Sequence, residues 1–184
     1  MKNTRIVTLI GIMTALSFVL YMFEVPVGFL FPSAPFLKID FSDMPAILLS
    51  IAYGPLIGTI VNLLKNILHF IFMSQTPAAS GEIANFFAGL GLYLPISVYY
   101  FYFAKGKEFK LVPNIILFTI GVIVMVLVMI VINFTITLPL YGITTIPEKW
   151  AFVNAITPFN VFKGTILAVI TLLLYPRLRK FLVK

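Results

Sequence analysis

From Leu111 to Leu140 the chain carries no charged side chain. A run of this kind is long enough to cross a bilayer, which takes about 20 apolar residues. Ile6–Phe23, Leu56–Met73, Glu82–Ala104 and Pro158–Tyr175 are comparable runs. Met44–Tyr53 is a shorter one, separated from its successor by Gly54-Pro55, a pair that ends helices. It needs turns from Phe41–Asp43 to span fully. The composition agrees: 61% of residues are hydrophobic, 10% are charged and the mean hydropathy is +1.09. A soluble domain carries about 25% charged residues. The expectation is an all-α membrane protein of six transmembrane helices, with residues 1–184 forming a single membrane domain.

Charge placement sets the expected orientation. Nine of the 13 basic residues fall in three groups: Lys2 and Arg5; Lys105, Lys107 and Lys110; Arg177, Arg179, Lys180 and Lys184. Six crossings place all three groups on the cytoplasmic side, as the positive-inside rule requires. Merging 44–73 into one crossing would split them. Both termini are therefore expected in the cytoplasm, with loops 24–43, 74–81 and 141–155 outside. The net charge of +7 is read as orientation and not as nucleic-acid binding. The apolar run after Arg5 exceeds the 7–15 residues of a signal-peptide core and no A-x-A site follows, so it is read as the first membrane helix.

Several polar groups lie inside these runs. Charge within a bilayer costs about 2.5–3.5 kcal/mol on insertion scales, so Lys65 and Lys163 stand out. Lys65 shares a helix face with His69, a face that could bind a ligand or pack on another helix. Asn160 precedes Lys163 by three residues and shares its face. An ammonium offers three donors and an amide two donors and an acceptor, which suits a neutral ligand with carbonyls beside an N–H, or a carboxylate. Asn85, Asn133, Asn160 and Lys163 all fall in the outer halves of their helices, as one pocket open to the outside would require. Glu82 suits the first turn of a helix, and Asp43 suits the N-cap of the helix beginning at Met44. Gly11 and Ala15, four apart, offer the first helix a close-packing face.

The chemistry that is missing narrows the function. With no Cys and a single His, disulfides, iron–sulfur clusters and a His-cluster metal site are excluded. No G-x-x-x-x-G-K-[ST], H-E-x-x-H or G-x-S-x-G motif is present. No nucleophile has a base beside it, so the chain is not read as an enzyme, and no metal or cofactor is expected.

Five segments in order carry a resemblance: 37-LKIDFSDMPAILLSIAYGPLIG-58, 65-KNILHF-70, 84-ANFFAG-89, 138-LPLYG-142 and 158-PFNVFKG-164. Together they resemble the riboflavin-specific S component of the energy-coupling factor (ECF) transporters. That resemblance implies six membrane helices around a vitamin pocket near the outer face. It implies a long outer lid formed by the loop between helices 1 and 2, here Val25–Asp40. The flavin would be held by Asn85, Asn133, Asn160 and Lys163, with Lys38, Asp40 and Glu82 near the ribityl chain or lid. Gly11 and Ala15 would dock on a scaffold membrane subunit that carries two ATPases, in the cell membrane of a prokaryote. Riboflavin would be bound as substrate and not as cofactor. The match over 74-SQTPAASGE-82 is looser, which weakens the role of Glu82.

Three other readings fit parts of the pattern. An S component for thiamine would set a cationic ligand against Lys163, and one for a folate would want more basic residues. An intramembrane enzyme using Lys163 or His69 lacks a second catalytic partner. A structural subunit would use its polar groups only to hold helices together.

Overall fold

The computed structural model describes residues 2–104 and 109–182. The basic residues Lys105, Lys107 and Lys184 lie outside the described residues. Helix α1 covers Lys2–Met22, α2 Met44–Tyr53 and α3 Pro55–Met73. Helix α4, Ser80–Val98, runs on as a π-helix over Tyr99–Phe103. Helix α5, Leu111–Ile132, continues through a π-helical stretch, Asn133–Thr137, and a last turn, Leu138–Leu140. Helix α6 is the longest, Ile146–Leu182. Five segments are long and apolar enough to cross a membrane, and α2 is a shorter apolar helix of 10 residues.

The pattern of exposure is that of a protein surrounded by hydrocarbon. On α5, Val112, Ile116, Ile123, Leu127 and Val131 face outward, while Asn114, Phe118, Gly121, Met125 and Met129 face the bundle. Helix α2 is central instead: Met44 through Ile51 are all buried. The turn into α3 depends on Gly54, whose φ of 104° lies in the left-handed region. Helices α4 and α5 approach at Gly121, where a Cβ would collide with the Leu92 carbonyl.

Tertiary contacts bring the chain ends together. The Arg5 guanidinium donates to the carbonyls of Phe181 (3.1 Å) and Leu182 (3.2 Å), and the Tyr53 hydroxyl also donates to Leu182. Phe109 packs on Tyr100 and Tyr175 at this same end. The opposite end carries the loop between α1 and α2. In that loop β1, Val25–Pro26, pairs antiparallel with β2, Lys38–Ile39.

The connection after α5 differs from the sequence expectation. A loop is expected to Ala155, yet α6 already begins at Ile146. Pro147 falls in the first helical turn, where a missing N–H costs nothing. Pro158 lies inside the helix, where it removes one backbone bond, and the Thr157 hydroxyl donates to the Val153 carbonyl one residue before it.

Candidate ligand-binding site

The site grows from the end of the α1–α2 loop. Asp40 follows β2, and its Oδ1 accepts from the backbone N–H of Ser42 (2.9 Å) and from the Ser42 hydroxyl. Its other oxygen faces α6: the Lys163 ammonium donates to Asp40 Oδ2 at 2.9 Å and lies 3.6 Å from Asp43 Oδ2. The Asn85 amide donates to the same Asp40 oxygen from α4, at 3.3 Å. Lys65, on α3 and 0% exposed, donates to Ser42 Oγ (2.6 Å), to Asn85 Oδ1 (2.8 Å) and to the Asp43 carboxylate. Two ammoniums and two carboxylates thus balance inside one buried cluster that joins the loop, α3, α4 and α6. A buried charge persists only when it is paired and hydrogen-bonded.

Asp40 belongs to the loop, and its carboxyl is shifted in a definite direction. Burial by itself would raise it, but the Lys163 and Lys65 ammoniums and the Ser42 hydrogen bond together hold it well below the usual carboxylate range.

The predicted residues separate into groups. Asn85, Lys163 and Asp40 meet directly. Asn160 lies buried one turn before Lys163 on α6, and its side chain has no hydrogen-bonding partner among the described residues. Asn133 is buried in the π-helical stretch, where its amide donates to the Met129 carbonyl (2.6 Å) and its oxygen accepts from Thr137 (2.6 Å). It makes no bond to the cluster. Lys38 is exposed and pairs with Glu24 at 2.8 Å, across the base of the loop. Glu82 accepts from Thr76 (3.0 Å), and His69 Nδ1 lies 2.7 Å from it. The His69 ring stacks on Tyr21 of α1 with centroids 3.7 Å apart. Gly11 and Ala15 take part in none of these contacts and are exposed on α1.

Asp43 does not act as the expected N-cap: its side chain makes no capping bond to α2 and turns to Lys65 instead. Ion pairing outweighs capping here because an in-span lysine has no water to satisfy it. The signal was available. The chain has only six acidic residues, and Lys65 needs one of them.

The loop packs onto α6 directly above this cluster. Val27, Ile39 and Phe159 are buried together, flanked by Phe31, Leu37, Phe162 and Ile166. The Phe31 ring meets both Phe159 and Phe162 with centroids 5.7 Å away, and Phe36 stacks on Phe152 at 5.6 Å. A separate cleft of about 670 Å³ lies between α5 and α6, lined by Phe118, Val122, Val126, Val161 and Leu172 among others. It holds none of the polar candidates. Its apolar walls belong to the membrane-facing surface and not to the site.

A buried, charge-balanced cluster beneath an aromatic-packed loop, at one end of a bundle of apolar helices, defines an integral membrane protein with a polar site inside it. The family model of the ECF transporter substrate-specific component matches residues 5–175. The chain belongs to this family of ECF transporter S components. It is 37% identical over 187 residues to the riboflavin transporter RibU of Staphylococcus aureus (strain TCH60), covering 98% of this chain and 93% of that one. It is 33% identical over 192 residues to the riboflavin transporter FmnP of Bacillus subtilis (strain 168), covering 99% and 95%. A solved structure described as "Structure and mechanism of the S component of a bacterial ECF transporter" superposes with a TM-score of 0.79 at 34% identity, over 99% of each chain.

Proposed function

We propose that this chain captures riboflavin as the substrate-binding subunit of an ECF transporter in a prokaryotic cell membrane. Uptake is energised by ATP hydrolysis on partner subunits. The observation that carries the site is the convergence of Asn85, Asp40 and Lys163 in one buried cluster, with Asn160 a turn away and its side chain without a hydrogen-bonding partner among the described residues. A flavin's pyrimidine edge presents carbonyl, N–H, carbonyl. The Lys163 hydrogens that Asp40 does not take can reach a carbonyl, and the Asn160 amide can pair with the N–H and its neighbour. Asn133 and Glu82 contribute from the adjoining helices, and Lys38 from the loop.

In this reading all six helices lie in the membrane, both termini face the cytoplasm and the α1–α2 loop is an external lid. The shared end of the two termini supports an even number of crossings, and the basic residues Arg5, Arg177, Arg179 and Lys180 at that end support its cytoplasmic side. Gly11 and Ala15 form the docking face for a scaffold membrane subunit that carries two ATPases. The open surface at Gly11, where a Cβ would meet nothing within 4 Å, supports this. The chain is a transporter component and acts by binding, closure and release.

The test is direct. The purified protein is expected to carry a yellow, flavin-absorbing ligand or to take up riboflavin saturably. The pair Lys163→Met and Asn160→Ala is expected to abolish tight binding. Wild-type affinity in that pair would remove this site.

A further inference from the structure

Lys65, on α3, is fully buried, yet it touches two other elements that build the site, the loop and α4, and also approaches α1. Its ammonium reaches Ser42 and Asp43 at the end of the loop and Asn85 on α4, and it lies 5.3 Å from the centroid of the Tyr21 ring on α1. Helix–helix adhesion alone would be served by any polar pairing. What singles out this contact is the atom of Asn85 that it takes.

An ammonium is donor only, whereas an amide side chain can turn either its oxygen or its NH2 toward a neighbour. Lys65 can donate only to the oxygen, and Asn85 Oδ1 lies 2.8 Å from Nζ. The amide is thereby held in one of its two orientations, with Nδ2 turned to Asp40 Oδ2 at 3.3 Å. An NH2 has two hydrogens and Asp40 takes one. The other has no partner among the described residues. The pairing of Lys65 with Asp43 has a second consequence. It leaves Asp40 as the nearer partner of Lys163, at 2.9 Å against 3.6 Å for Asp43.

We propose that Lys65 is a positioning residue for vitamin binding: it fixes the Asn85 amide so that a donor, and not an acceptor, faces the ligand. This rests on the reading of Asn85 as a site residue. Lys65 itself does not touch the ligand. It selects ligands with an acceptor at that point and rejects those with a donor there.

The experiment is a cycle of riboflavin dissociation constants. Removing Lys65 alone would strand the buried Asp43, so the variant is Lys65→Met with Asp43→Asn, which keeps the cluster neutral. It is expected to bind about tenfold more weakly, as is Asn85→Ala, because each loses one oriented hydrogen bond. The triple variant is expected to bind no worse than either. A role in stability alone would move the unfolding midpoint and leave the two effects additive, at about a hundredfold for the triple variant. Additivity, or wild-type affinity in Lys65→Met/Asp43→Asn, overturns the inference while leaving the site intact. Wild-type affinity in Asn85→Ala removes the site reading and the inference together. Asn85→Asp is a second arm that keeps an acceptor for Lys65; it also sets a carboxylate beside Asp40, so its unfolding midpoint is read with its affinity. It replaces the donor with an acceptor and is expected to bind at least as weakly as Asn85→Ala. Retained affinity in Asn85→Asp would overturn the inference even if the Lys65 variant failed to fold.

Discussion

The Lys163 ammonium sits 2.9 Å from Asp40 Oδ2, a bond that ties α6 to a loop residue 123 positions earlier in the chain. Both side chains are buried, so removing one strands the other. Lys163→Met or Asp40→Asn is expected to destabilise the protein by about 3–5 kcal/mol, the usual cost of breaking a buried pair. The double variant is expected to cost less than the two single losses added together. Thermal unfolding of the four proteins in detergent gives the coupling, and a coupling of zero would mean that the pair does not act as one.

Acid should loosen the same contact. The folded state holds the Asp40 carboxyl below its unfolded value, through the two lysines and Ser42. Its contribution to stability is therefore complete above the unfolded carboxylate value of about 3.9 and fades as pH falls toward the folded value. The unfolding midpoint is expected to be level from about pH 5 to 7 and to drop below about pH 4. Asp40→Asn should flatten that acid limb. An equally steep decline in the variant would assign the acid sensitivity to other carboxylates.

The aromatic contact between the loop and α6 predicts a kinetic effect. Phe31 packs edge-on against Phe159 and Phe162. If this contact holds a lid shut over bound riboflavin, Phe31→Ala should speed dissociation about tenfold, with the association rate changed less. Stopped-flow fluorescence of the flavin separates the two rates. An unchanged dissociation rate would show that Phe31 does not hold a lid.

Docking is expected to be separable from capture. Gly11 and Ala15 are exposed on α1 and take part in none of the cluster's contacts. Gly11→Leu with Ala15→Leu should leave riboflavin affinity within about twofold of wild type, as expected for surface substitutions. Co-purification with the scaffold and ATPase subunits should be lost. Intact complexes from this variant would move the docking face elsewhere.

Much of the architecture could be read from hydropathy alone. The runs at α1, α3, α4 and α5 are predominantly apolar, and in a bilayer such a run has no alternative to a helix that satisfies its own backbone. Helix α2 was legible from the Gly54-Pro55 break, but its central burial was not, because α5 is equally free of charged side chains and yet exposes one face. The early start of α6 was not legible, because Pro147 and Pro158 read as breakers unless the neighbouring helices are known.

The candidate site divides in the same way. An in-span lysine or amide announces itself by its cost, so Lys163, Lys65, Asn85 and Asn160 were visible one by one. Their partners were not. Lys163 finds Asp40 across 123 residues and Lys65 finds Asp43 across 22, while Asn133 satisfies itself within its own π-helical stretch. The sequence by itself determined that buried charges exist and must be neutralised. Only the packing of the loop, α3, α4 and α6 decided which opposite charge lies within reach, because pairing depends on distances that local sequence does not encode.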